Sequence, residues 1–225
     1  MNILIACEES QTVCKAFRAK GHNAFSADIQ EPSGGHPEWH ILGDVLPILD
    51  RGEVITMDGK HHSIPKWDML IAHPPCTYLS NCCTKLYSLR VSSPEYVVNR
   101  WEQRARAAVF FMYFALAKVD KICVENPVGF MNTAYRKPSQ VIHPYMFAES
   151  ENDTENYVTK RTCLWLKGLP PLKTNDLPKP NNAELFGRHP SGKARKWEEN
   201  ISSNRAKLRS KTFPGIAKAM AEQWG

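Results

Sequence analysis

Short apolar runs that each lead into a polar or reactive residue constrain the fold of this 225-residue chain more than any other feature. Ile3–Ala6, Trp67–Ala72 and Ile122–Val124 have the length of strands and are too short for buried helices. Helical patterns follow the first two runs, at 10–20 and 93–118. Strands that alternate with helices predict an α/β fold with a mostly parallel sheet and helices on both of its faces.

The rest of the chain predicts smaller elements. A loop rich in proline, glycine and histidine is expected at 29–40, and Asp58-Gly59 is typical of a hairpin turn. The other expected elements are strands or short extended segments at 23–27, 41–45, 54–56, 61–64 and 161–166 and a closing helix at 213–221. We divide the chain into a cofactor-binding and catalytic domain at 1–166, a small, basic, irregular recognition region at 167–211 and a segment at 212–225 that returns to the catalytic domain.

Side chains predict how two helices begin and how one of them packs. Ser10 is expected to cap the first helix, and Ser93 with Pro94 to start the long one. An apolar stripe of the long helix is expected to face the core, and its members are Val97, Trp101, Ala105, Ala108, Met112 and Ala115.

Composition restricts the class of protein. Hydrophobic residues make up 42% of the chain, enough for one sizeable core, and no apolar run approaches the roughly 20 residues that span a bilayer. The N-terminus lacks the pattern of a signal peptide, so a cytoplasmic protein without a membrane partner is expected. Seven scattered cysteines disfavour a disulfide framework. No metal is expected, because a repeated C-x2-C spacing is missing around His73, Cys76, Cys82 and Cys83.

The net charge of +6 is concentrated in one segment. Residues 188–211 hold eight lysines or arginines against two glutamates, which equals the whole excess of the chain. Such a block fits a phosphate-binding surface or an ordinary solvated basic face equally well. The first alternative makes Arg195, Lys196 and Arg205 candidate contacts to DNA.

Two of the predicted strands lead into reactive groups. The run at 67–72 is followed by His73-Pro74-Pro75-Cys76, and the run at 122–124 by Glu125-Asn126-Pro127. One helical crossover joins these strands, so both loops are expected at the same edge of the sheet, where α/β proteins bind ligands. A thiolate at Cys76 and an acid at Glu125 are the two groups needed for attack on carbon 6 of cytosine, which makes carbon 5 nucleophilic.

On these residues the chain resembles the cytosine-5 DNA methyltransferases. Pro75-Cys76 followed by Ser80 is similar to the family's Pro-Cys-x-x-x-Ser loop, and Glu125-Asn126 to its Glu-Asn pair. The chain also resembles a group of small phage-encoded methyltransferase-like proteins, which would place it in the host cytoplasm. The resemblance implies a Rossmann-like methyltransferase fold, Cys76 as nucleophile, Glu125 as the acid at ring nitrogen 3, DNA as partner, and S-adenosylmethionine or a close analogue as methyl donor.

The resemblance extends more weakly to other positions. It implies an acidic group on the cofactor ribose at Asp28, another at the adenine at Asp44, and a basic motif at Lys160 and Arg161 that steadies the flipped base, with Arg161 as a third catalytic residue. The remaining residues implied are Cys7, Glu8, Glu9 and Pro74 for the cofactor and Ser80, Asn126 and Lys160 for DNA.

Departures from the family pattern leave two alternatives open. The loop at 6–11 lacks the family's glycines, and Glu8 and Glu9 either meet the ammonium of the donor or crowd it out. A methyltransferase-fold protein that binds nucleic acid without turnover is therefore one alternative. An amino-group DNA methyltransferase is the other, although that chemistry uses an aromatic residue where this chain has Cys76, and Tyr78 is two residues late.

Overall fold

The computed structural model describes residues 1–50, 52–195, 197–199 and 211–225. The strands of these residues are β1 (Asn2–Ala6), β2 (Asn23–Asp28), β3 (His40–Leu42), β4 (Gly52–Ile55), β5 (His61–Ile64), β6 (Met69–Ala72), β7 (Lys121–Pro127), β8 (Gln140–Ile142) and β9 (Thr162–Lys167). The α-helices are α1 (Thr12–Ala19), α2 (Pro94–Ala115), α3 (Met131–Ala134), α4 (Asn182–Phe186) and α5 (Pro214–Trp224).

Seven of the strands form one sheet in the order β3-β2-β1-β6-β7-β9-β8. The first five of these are parallel to one another, and β9 runs antiparallel to both of its neighbours. This arrangement confirms the predicted α/β class and the mostly parallel sheet. The predicted hairpin is also confirmed, since β4 and β5 pair separately around Gly59, whose φ of 81° suits glycine.

The order of the strands defines a switch point between β1 and β6. Without the β4–β5 hairpin, the sheet reads 3-2-1-4-5-7-6, which follows the doubly wound order as far as its fifth strand. The chain leaves β1 towards β2 on one side and later returns to β6 on the other, with Ala6 opposite Ala72. Ligands of such sheets bind beyond the carboxyl ends of the strands at this point.

Both faces of the sheet are covered by apolar side chains. On one face, Leu4 and Phe25 belong to a core with Phe111 and Phe114 of α2. On the other, Ile3 and Ile5 belong to a core with α1 and α5, which also pack against each other. This two-faced burial explains why the strands are apolar at successive positions instead of alternating.

The prediction of which α2 residues face the core is partly wrong. Val97 is buried, but Trp101 is 47% exposed and Ala105 is exposed as well. The fully buried residues are Phe111 and Phe114. Apolar residues occur around most of this helix, so periodicity does not select one face. Burying the large phenylalanine rings removes more apolar area from water than burying alanines, and the helix is rotated accordingly.

Other differences concern the second half of the chain. The stretch at 127–159, for which the sequence indicates no regular element, contains α3 and the edge strand β8. The loop at 168–190 contains the short helix α4. No helix among the described residues is long and apolar enough to cross a membrane.

We expect Phe111→Ala to lower the free energy of unfolding by about 3–5 kcal/mol, because it leaves a cavity beside Trp165, whose ring lies 5.1 Å away. Urea unfolding followed by circular dichroism measures the change. Leu89→Ala is the control, because Leu89 is 68% exposed, and it should cost less than about 0.5 kcal/mol. Equal effects would contradict the packing described for α2.

Candidate functional site

The ends of β6 and β7 bring a histidine and a glutamate into contact. Ala72 lies opposite Val124 in the parallel register, so His73, the first residue after β6, lies beside Glu125, which is still part of β7. The Nδ1 atom of His73 is 2.9 Å from Oε2 of Glu125, and their side chains are only 9% and 15% exposed. The sequence placed both residues at this edge, but it gave no indication that His73 binds the candidate acid.

Burial and mutual charge act in opposite directions on this pair. Burial tends to lower the pKa of His73, but the hydrogen bond and the negative charge of Glu125 outweigh it, and the net effect is a raised pKa. Burial likewise tends to raise the pKa of Glu125, but the hydrogen bond and charge of His73, with help from Lys160, lower it. The pair therefore favours an imidazolium and a carboxylate at neutral pH.

His73 also has a nitrogen available for a ligand. Its Nε2 atom is buried and has no hydrogen-bond partner among the described residues. A buried donor without a partner costs free energy, and a bound oxygen would remove that cost.

Cys76 lies in a tight turn directly after this pair. Its side chain is exposed, and its carbonyl accepts hydrogen bonds from the backbone N–H groups of Leu79 and Ser80 at 3.1 and 2.9 Å. The hydroxyl of Ser80 accepts from the N–H of Cys82 at 3.2 Å and so starts the following turn. The local backbone thus fixes the loop and leaves the thiol at the surface.

Asn126 and Pro74 connect the two loops. The Nδ2 group of Asn126 donates to the carbonyl of Pro74 at 2.7 Å, and Asn126 is only 3% exposed. The Nδ2 group of Asn126 thus has an internal role, and its contact with DNA stays a prediction. Pro74, predicted to contact the cofactor, is buried and uses its carbonyl in this bond.

The backbones of the two loops are also in direct contact. Phe130 donates its N–H to the carbonyl of Leu79 at 2.7 Å, and Asn81 donates to that of Val128 at 3.4 Å. A Cβ atom on Gly129 would lie 2.0 Å from the carbonyl oxygen of Leu79. Only glycine allows this approach, so Gly129 keeps the Cys76 loop close to the segment that carries Glu125.

Two buried arginines of α2 support the Cys76 loop from behind, and sequence reasoning missed them. The guanidinium carbon of Arg104 lies 3.5 Å from the ring centroid of Tyr87, and its Nε donates to the carbonyl of Tyr78 at 2.9 Å. Arg100 lies over the rings of Tyr78 and Tyr87 at 5.1 and 4.8 Å. The ion pairs between described residues include neither arginine. Their positive charge thus lies next to the Tyr78 and Tyr87 rings that follow Cys76 in the chain.

The glycine-free loop after β1 folds around Glu8. Its carboxylate accepts hydrogen bonds from the backbone N–H groups of Val13 and Cys14, at 2.6 and 3.2 Å, and so caps α1. This corrects the prediction of a Ser10 cap, since the N-cap residue is Gln11 and a carboxylate is favoured at a helix N-terminus. Cys7 and Gln11 adopt φ values of 59° and 57°, which the loop needs in place of glycine.

Glu8 and Glu9, which were predicted to meet the donor's ammonium, lie in a buried environment. Both side chains are buried, and burial raises the pKa of Glu8 to about 7 despite its two backbone hydrogen bonds and the charge of His73. The Glu8 carboxylate is already engaged by α1. Glu8 thus has a structural role as the cap of α1, and its contact with the cofactor stays a prediction.

Asp28 and Asp44 lie near Cys7 at the neighbouring strand ends. Burial is the main reason that the pKa of Cys7 is raised to about 12, and the charges of these two carboxylates raise it further. One oxygen of Asp28 accepts from the N–H of Gln30 at 2.9 Å, and one of Asp44 from that of Leu46 at 3.0 Å. Two acidic groups at the ends of β2 and β3 are suited to hydroxyl or amino groups of a ligand.

Lys160, not Arg161, is the basic residue associated with the His73–Glu125 pair. The charge of Lys160 acts on both members, and Thr212 hydrogen-bonds Glu125. Arg161 is exposed, and its charge acts on His143 and Cys163 instead. The structure thus associates Lys160 with the pair, and the catalytic role of Arg161 stays a prediction.

The predicted DNA contacts of the basic segment are described only in part. Arg195 is exposed, and its backbone N–H bonds the carbonyl of Gly187. Lys196 and Arg205 lie outside the described residues. Within the described ranges, no group of three histidines, cysteines or acids could hold a metal ion.

Comparison of the sequence with models of known protein families finds no match, and comparison with curated proteins finds none either.

We expect Gly129→Ala to lower the free energy of unfolding by about 1–3 kcal/mol, because the added methyl group must push the two loops apart. Chemical denaturation measures the loss, and the rate of Cys76 alkylation should change in the same variant. In Gly59→Ala, the control, the methyl group meets open space and only the positive φ is unfavourable, so Cys76 should react at the wild-type rate. A Gly129→Ala protein with wild-type stability would contradict the close approach.

We expect the stability of the protein to depend on pH through Glu8. Because its pKa is about 7 in the folded protein and about 4.5 when unfolded, the folded state loses stability as the pH rises from about 4.5 to 7, by about 3 kcal/mol in all. Glu8→Gln cannot ionise and should lack this decline. Unfolding free energies from pH 4.5 to 8 test the difference, and parallel pH profiles would contradict it.

Proposed function

We propose that this protein methylates carbon 5 of cytosine in DNA, with Cys76 as the nucleophile. The observation that carries the proposal is the arrangement at one sheet edge, where the exposed Cys76 directly follows a buried His73–Glu125 pair. A thiol and an acid on two neighbouring loops match the two groups that attack on a cytosine ring requires. The doubly wound strand order supports a ligand crevice at this edge.

In the proposed reaction, the thiolate of Cys76 forms a bond to carbon 6 of the cytosine. The electrons of the carbon 5–carbon 6 double bond shift to carbon 4 and carbon 5, nitrogen 3 takes up a proton, and carbon 5 becomes an enamine carbon. Carbon 5 would then accept a methyl group from a sulfonium donor, which would leave as a thioether. After methylation, the proton on carbon 5 leaves to a base, nitrogen 3 returns its proton to Glu125, the sulfur–carbon bond breaks, and Cys76 returns as a thiolate. Arg100 and Arg104 support the first step by holding the Tyr78 segment, and with it the loop that presents Cys76.

The acid at ring nitrogen 3 is the His73–Glu125 pair, not Glu125 alone. Because the pKa of Glu125 is lowered and that of His73 raised, the shared proton is held on the imidazole side at neutral pH. A proton that moves from Nδ1 of His73 along the 2.9 Å hydrogen bond lets Glu125 protonate nitrogen 3, and His73 becomes neutral. Lys160 and Thr212 steady the carboxylate during this exchange.

The residues at the β1–β3 side fit a nucleoside-type methyl donor only in part. Asp28 and Asp44 would hold its hydroxyl and amino groups, while Glu8 is engaged as the cap of α1 and is not available. When bound, S-adenosylmethionine or a close analogue supplies an electrophilic methyl group. Asp28 and Asp44 also favour a ligand that carries positive charge.

A protein that binds nucleic acid without turnover is the second candidate. The observation that favours it is the burial of Glu8 and Glu9 in the loop where the donor is expected. Amino-group methylation is less well supported, because His73 is already bound to Glu125 and Cys76 stands at the aromatic position. The test below separates these candidates.

We expect Cys76 to become covalently trapped on duplex DNA in which every cytosine is replaced by 5-fluorocytosine, with S-adenosylmethionine present. Fluorine cannot leave carbon 5 as the proton does, so the bond between sulfur and carbon 6 persists. Denaturing gels and intact-mass spectrometry detect the adduct, and full substitution removes the need to know the recognition sequence.

Two single variants control this experiment. Cys76→Ala should form no adduct, whereas Cys82→Ala removes another exposed cysteine six residues later and should still form it. An adduct in the Cys76→Ala protein would assign the nucleophile elsewhere. No adduct in the wild-type protein, together with DNA binding, would favour the protein without turnover.

A further inference from the structure

The long helix α2 carries a second apolar stripe that faces away from the sheet. Val98, Trp101, Val109 and Tyr113 are between 47% and 58% exposed, and Ala105 between them is exposed as well. Successive members are three or four residues apart, so they lie on one face of the helix. At 1.5 Å per residue the stripe extends over about 22 Å.

This stripe is not explained by the fold or by the proposed reaction. The core uses the opposite side of α2, through Phe111 and Phe114. A continuous exposed apolar strip of this length is unusual on a monomeric protein and indicates an interaction surface.

We propose that this face of α2 binds the same face of a second copy of the chain, with the two helices antiparallel. In that arrangement Ala105 lies at the two-fold axis, where its small side chain lets the helices approach closely. Val98 then lies opposite Tyr113 of the second copy, and Trp101 opposite Val109 of the second copy. Large and small residues alternate across the contact, and each apolar residue has an apolar neighbour.

The charges beside the stripe select a second copy as the occupant. Glu102 and Arg106 are both exposed, are one turn apart, and lie on the same flank of the stripe. In an antiparallel two-fold pair the same flank of each helix faces the same side. Glu102 of each copy therefore meets Arg106 of the other, and two ion pairs form from one pair of residues. A parallel pair places these flanks on opposite sides and leaves both charges without this partner.

The same contact would reach the aromatic cluster behind the Cys76 loop. The ring of Trp101 lies 5.2 Å from that of Tyr87 and 6.4 Å from that of Phe130. If a second copy covered Trp101, the dimer contact would restrict the movement of the Trp101, Tyr87 and Phe130 rings. The inference itself depends only on α2 and not on the proposed reaction, so either can fail without the other.

Sedimentation velocity of the full-length protein, from about 1 to 200 µM, tests the proposal. We expect a dimer that dissociates on dilution, in keeping with one helix-to-helix contact. Val109→Glu places a carboxylate in the stripe of both copies and should weaken dimerisation at least about tenfold. Val141→Glu makes the same change at an exposed valine of β8 and should leave dimerisation unchanged.

A charge exchange distinguishes self-association from binding of another molecule. Glu102→Arg and Arg106→Glu should each weaken the dimer, because like charges then face each other across the contact. The double variant Glu102→Arg with Arg106→Glu restores two opposite-charge pairs and should restore the dimer. A monomeric wild-type protein at 200 µM, or a dimer that Val109→Glu does not weaken, would overturn the proposal. Circular dichroism confirms in each case that the variants are folded.

Discussion

The parallel register of β6 and β7 is the constraint on which the candidate site depends. With Ala72 opposite Val124, the next residues in the two strands are His73 and Glu125, and their side chains meet at 2.9 Å. A shift of one residue would turn one of them to the other face of the sheet. The apolar strands and the α2 crossover are thus what bring these two polar groups together.

A buried ion pair is costly unless its remaining hydrogen-bonding groups are satisfied. Glu125 has additional support from Lys160 and Thr212, whereas Nε2 of His73 has no partner among the described residues. The pair is therefore stabilised on the carboxylate side and incomplete on the imidazole side. An incomplete buried group at the end of a strand is more readily explained by a ligand than by stability.

The sequence was sufficient to predict what depends on short-range pattern. Apolar runs and helix signals located β1, β6, β7 and α2, and parallel-sheet topology placed Cys76 and Glu125 at one edge. The sequence was not sufficient where several arrangements of a helix or strand satisfied the same apolar pattern. Either face of α2 was apolar enough to be buried, and only packing of the large Phe111 and Phe114 rings selected one.

Long-range polar contacts also could not be predicted from the sequence. Glu8 caps α1 across five residues, and Asn126 bonds Pro74 across 52 residues. Neither partner is suggested by residue type alone. Arg104 could have been suspected, because an arginine four residues from another on a helix rich in aromatic neighbours often stacks on them, but its bond to Tyr78 could not.

Charge is divided along the sheet edge in a way that bears on both proposed ligands. Asp28 and Asp44 lie at the ends of β2 and β3, with Glu8 and Glu9 buried after β1. Lys160 lies just before β9 and near Glu125, and Arg100 and Arg104 lie behind the Cys76 loop. A sulfonium donor is a cation and DNA is a polyanion, so a single site that must hold both benefits from opposite potentials on its two sides. If the two ligands exchanged places, the cationic donor would lie beside the lysine and arginines, and the anionic DNA would lie beside the acidic residues. The division therefore favours the donor beyond β1–β3 and the nucleic acid beyond β6–β9.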